Sequence, residues 1–100
     1  MKLKAKKIGR VEFVIDLDRK PEHFRFMWKK GKLYISVRGV VLNTDHEWFE
    51  IPVEDISSIN IDEGGVLTID FGTGIIKITS KDVNSLRAFR HFLLPYIKGE

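Results

Sequence analysis

Apolar residues alternate with polar ones in short stretches from Val11 to Ile78, and only beyond Asp82 does the spacing become that of a helix. A chain of 100 residues that reads as strands first and one amphipathic helix last has few ways to build a core. The helix must cover the apolar face of a sheet or plug the open end of a barrel. The expected fold is therefore mainly β: a seven-stranded split barrel of two antiparallel sheets, capped by one C-terminal α-helix over residues 82–97.

The strands follow from period-two patterning. Val11, Phe13, Ile15 and Leu17 share one face, with Glu12, Val14 and Asp16 on the other. Pro21 and its polar neighbours interrupt the pattern, which resumes with Phe24, Phe26 and Trp28 inward. Lys30-Gly31 predicts a tight turn into Leu33, Ile35 and Val37. Val40 to Leu42 and Glu47 to Val53 read as alternatives for a fourth strand, or as two pieces of one interrupted strand, with Pro52 at its end or on an edge. Ile56, Ile59 and Ile61 share a face if a bulge lies near Ser57-Ser58. Turns at Glu63-Gly64-Gly65 and Gly72-Thr73-Gly74 lead into Leu67, Ile69, Phe71 and then Ile76, Ile78.

Asp82 is the expected N-cap of the helix. Val83, Leu86, Phe89, Phe92, Leu93, Tyr96 and Ile97 form its apolar face, and Pro95 ends or kinks the last turn. Arg87, His91, Leu94 and Lys98, with Arg90 at the margin, form the solvated basic face.

Length allows one domain, residues 1–100, with a basic N-terminal segment over residues 1–9. No cysteine is present, which excludes disulfides, thiolate metal sites and thiol nucleophiles and fits a reducing cytoplasm. The absence of an apolar signal core or spanning stretch predicts a soluble, unexported protein. The lack of glutamine beside abundant Lys, Arg, Glu and Asp is a bias of proteins from hot environments and predicts a thermophilic source. The net charge of +3 conceals an uneven distribution, because residues 39–76 carry eight acids and no Lys or Arg while both flanks are basic. Such blocks predict either cross-strand charge pairing or separate basic and acidic faces for partners.

Gly31-Lys32-Leu33-Tyr34-Ile35-Ser36 leading into Val40-Val41-Leu42, then Ile51-Pro52-Val53-Glu54-Asp55-Ile56 and Ile59, resembles the pattern of pleckstrin-homology and GRAM-type domains. Among these the chain is most similar to the domain of the archaeal taxis adaptor family that connects a response regulator to the flagellar motor. The resemblance covers most of the chain and implies a PH-like split barrel, with an adaptor role in archaeal signalling. It also implies an alternative, recognition of anionic lipid head groups through cations around the first strand-to-strand loop, here Arg19, Lys20, Arg25, Lys29 and Lys30.

No enzymatic constellation emerges. His23, His46 and His91 lack metal-ligand spacing, Asp45-His46-Glu47 reads as a polar turn, and the Gly pairs lack the helix and lysine of a phosphate loop. No metal or other cofactor is predicted. The favoured function is protein binding, with Trp48, Tyr34, Arg87, Arg90, His91 and Leu94 as candidate contacts. Trp48 has an alternative role, covering a small second cluster with Met27 or Val14. Peripheral membrane contact and self-association through a strand edge are further expectations. Nucleic acid is the weakest, because the acidic central block repels a polyanion.

Overall fold

The computed structural model describes residues 3–17 and 28–97. Seven antiparallel strands are followed by one helix: β1 (Lys6–Asp16), β2 (Lys29–Ile35), β3 (Gly39–Asn43), β4 (Trp48–Pro52), β5 (Ser58–Ile61), β6 (Leu67–Asp70), β7 (Ile75–Thr79) and α1 (Val83–Leu93). Among the described residues the ladder is one sheet in the order β4-β3-β2-β1-β7-β6-β5, in place of the two expected, and it does not close, so β4 and β5 are the edges of the described sheet.

The length of β1 explains the single sheet. Its first part, Lys6 to Phe13, pairs with β2, and its last part, Glu12 to Asp16, pairs with β7. One strand thus belongs to both halves, which wrap a common core that includes Leu33, Leu42, Ile69, Ile76, Leu86 and Phe89. Residues 6–9 of the basic N-terminal segment are accordingly part of the sheet. A bulge between Lys7 and Gly9 inserts Ile8 out of phase, and Gly9 adopts a φ of 135° that a side chain would resist.

Two strand boundaries differ from the sequence expectation, and a third expected strand falls on residues not described. The strand predicted around Phe24 and Phe26 lies outside the described residues; Trp28 precedes β2 and is half-buried. Lys30-Gly31 is no turn but the interior of β2, because Gly31 lies against its neighbours: a Cβ there would stand 2.7 Å from the Asn43 carbonyl oxygen and 3.0 Å from the Phe13 ring. Residues 40–42 and 47–53 do not form one strand. They contribute to β3 and β4, a hairpin in register from Asn43 opposite Trp48 to Gly39 opposite Pro52. Thr44 closes it, its Oγ1 accepting from the N–H groups of His46 and Glu47 at 3.2 and 2.9 Å.

The second half follows the expected plan. Ser57 donates both N–H and Oγ to the Asp70 carbonyl, whose register partner is Ser58, so two residues face one as in a bulge. The turns between β5, β6 and β7 close through Asp62 N–H to Val66 O and Phe71 N–H to Gly74 O. The α1 helix begins at its predicted cap, with Asp82 accepting from Ser85 N–H. It ends at Leu93, and a 3-10 turn, Leu94–Tyr96, carries Pro95 where an α-helix would stop.

Two helix residues change sides. Leu94 packs against the core instead of facing solvent, because the 3-10 turn rotates it inward. Phe92 is 43% exposed, and Lys6 Nζ sits 3.8 Å from its ring centroid, a cation–π contact between α1 and β1. Val14 and Asp16, expected outward, are buried at 0% and 1% exposure. Among the described residues no helix is long and apolar enough to cross a membrane.

Candidate functional site

The two sheet edges are finished differently. Along β5, α1 packs close and Arg90 Nε donates to the Ile59 carbonyl at 2.9 Å, filling a backbone acceptor that no strand reaches. Lys29, Lys30 and Lys32 lie on the interior strand β2 and protect neither edge.

Along β4 no described strand pairs on the side away from β3. Thr44 N–H bonds to Glu47 O and Val53 N–H to Arg38 O, each at 2.9 Å, which sets the phase of the β3–β4 ladder. Since hydrogen-bonded and non-bonded pairs alternate, Phe49 and Ile51 bond to β3 while Trp48, Glu50 and Pro52 turn their backbone groups outward. Pro52 offers only a carbonyl, so the outward donors of β4 are the amides of Trp48 and Glu50.

Side chains on this strand divide by face. Ile51 is in the core and Phe49 packs against it, edge-on to Phe13 with centroids 6.0 Å apart. Trp48 points away from the core at 65% exposure. Val14 is fully buried, and Met27, the other residue of the small cluster expected with Trp48, lies outside the described residues. At the far end of β4 a hollow of about 430 Å³ is lined by Leu3, Val37, Pro52 and Tyr96 among others, and Val37 is 62% exposed. Apolar surface therefore flanks the open edge at both ends.

Register extends the Trp48 face across four strands. Trp48 is opposite Asn43, Asn43 opposite Lys32, and Lys32 opposite Arg10, so these four form a row over β4, β3, β2 and β1. The neighbouring row holds Glu50, Val41, Tyr34 and Lys7. On this face lies an open groove of about 950 Å³ whose charged lining is Arg10, Lys30, Lys32 and Lys81 against Glu12 and Asp45. Tyr34 also lines it.

The residues predicted as one protein-binding group thus separate. Trp48 and Tyr34 share the outer sheet face, whereas Arg87 and His91 are exposed on α1, Arg90 is committed to Ile59, and Leu94 is packed inward. Of the predicted anion-binding set, Arg19, Lys20 and Arg25 lie outside the described residues. Lys29 is paired with Glu47 at 2.8 Å, and Lys30 lines the groove. Arg10, Lys32 and Lys81 were missed as site residues. The bulge at Gly9 hid Arg10, since it breaks the alternation that would have carried β1 back past Val11.

Among the described residues no cluster of three His, Asp or Glu side chains could hold a metal ion. No family model, no curated protein and no solved structure matches the chain.

Proposed function

We propose that this chain is a PH-like interaction module that binds another protein by accepting an extended segment as an added strand along β4. The observation that carries the reading is the difference between the edges: Arg90 on α1 fills an outward acceptor of β5, while β4 presents the outward amides of Trp48 and Glu50 beside an exposed indole. An added strand satisfies those backbone groups, and side-chain pockets beside it supply selectivity. Trp48 and the hollow at Pro52 and Val37 are suited to that second task. Seven antiparallel strands followed by one helix is the element order that the pleckstrin-homology resemblance implies, which supports the same reading.

Self-pairing is less suited to this edge. A two-fold pairing centred on Glu50 sets two carboxylates directly opposite each other, an unfavourable arrangement.

Affinity capture from extract with wild type, Trp48→Ala and Glu50→Pro tests the proposal. The proline removes an outward amide without touching the bonds to β3. Each variant should lose the captured protein while keeping the wild-type circular dichroism; capture that survives both substitutions overturns the reading.

A further inference from the structure

We infer that the partner segment held at Trp48 continues as an acidic stretch across the outer sheet face, with its carboxylates in the groove over Lys32 and Arg10. This rests on the protein-binding reading and names the chemistry of the partner.

Arg10 and Lys32 are direct cross-strand partners on β1 and β2, both exposed. Like charges so placed repel unless an anion lies between them. Neither makes an ion pair in this structure; the exposed bond between Lys29 and Glu47 is elsewhere on the sheet. Lys30 has Glu12 opposite it on β1, so the uncompensated charge is concentrated at the Arg10–Lys32 step. With Lys81 the groove carries four cations against Glu12 and Asp45.

The same row reaches Trp48. Three strand spacings of about 4.8 Å separate Trp48 from Arg10, roughly 14 Å in all. An extended chain crosses that distance in about four residues. The ligand is therefore a segment with an apolar residue against the indole and carboxylates about four positions along the chain. Arg10 and Lys32 present charge-assisted donors to those carboxylates, and the Asn43 amide lies between them and Trp48.

The test is fluorescence anisotropy of a labelled peptide carrying one leucine followed by an aspartate run, at low and physiological salt. A peptide with asparagine in place of aspartate is the control ligand. Arg10→Glu combined with Lys32→Glu should weaken binding at least about tenfold, as should the asparagine peptide. Trp48→Ala should weaken it similarly. Lys4→Glu, an exposed charge outside the groove, should change it by no more than about twofold. Rising salt should weaken it progressively.

Failure of the acidic peptide to bind, equal binding of the asparagine peptide, or a double reversal no worse than Lys4→Glu overturns the inference. Stronger competition by anionic vesicles or a single-stranded oligonucleotide than by unlabelled acidic peptide also overturns it, in favour of a lipid surface or nucleic acid. The protein-binding reading fails separately, when capture survives Trp48→Ala and Glu50→Pro whatever the charge variants do.

Discussion

Arg90 Nε donates to the Ile59 carbonyl at 2.9 Å, so the helix fills one outward backbone acceptor of a strand that has no further neighbour among the described residues. This contact decides which side of the sheet stays available. Among the described residues, the outward amides of Trp48 and Glu50 lie along the other edge, β4.

Arg90→Met keeps the aliphatic stem and removes the donor. The Ile59 carbonyl loses its bond from a charged group, a loss of about 1.5–3 kcal/mol. In thermal denaturation this lowers Tm by several degrees. Sedimentation should also show more self-association than wild type, because a second edge is then unguarded.

Gly31→Ala tests why β2 passes straight through a residue that reads as a turn. The new methyl would meet the Asn43 carbonyl, a backbone atom that cannot swing aside, and the Phe13 ring. Urea denaturation should show a loss of about 1–3 kcal/mol, the range for overpacking. A neutral or stabilising change would contradict the close approach of β2 to β3.

The outcome at Gly31 bears on how much of this molecule is legible in its sequence. Strict alternation marked Val11 to Ile15, Leu67 to Ile69 and Ile76 to Ile78, and the helix showed itself through Asp82 and the spacing of Leu86, Phe89 and Leu93. Val40, Val41 and Leu42 were ambiguous because all three are buried, Val41 on the outer face, and a run buried on both sides has no period to read. Ile8 and Gly9 concealed the start of β1 behind a bulge. The site was less legible than the fold. Trp48 could be singled out as an exposed indole, but the step between Arg10 and Lys32 exists only through pairing across strands, and periodicity along one strand cannot specify its partner. The bond of Arg90, read at the margin of the basic helix face, was hidden for the same reason: its acceptor lies 31 residues away.

The start of α1 makes stability depend on pH. The Ser85 hydroxyl, 2.7 Å from the Asp82 carboxylate, and the Ser85 N–H at 3.3 Å hold that carboxyl below its ordinary pKa. A carboxyl whose folded pKa is depressed adds stability above its unfolded pKa and loses it as pH falls through the folded value. The Tm difference between wild type and Asp82→Ala should hold steady near neutrality and shrink below about pH 4. A difference that stays constant into acid would show that the cap does not depend on the ionised form.

A protein segment seated on the β4 edge lies within reach of position 48. A photo-crosslinking amino acid at position 48, compared with one at position 87 on the solvent face of α1, tests it most directly. Occupancy of the β4 edge gives a discrete protein adduct from position 48 that disappears when Glu50→Pro is added, and none of comparable yield from position 87. Adducts that form only from position 87, or that survive Glu50→Pro unchanged, would contradict it.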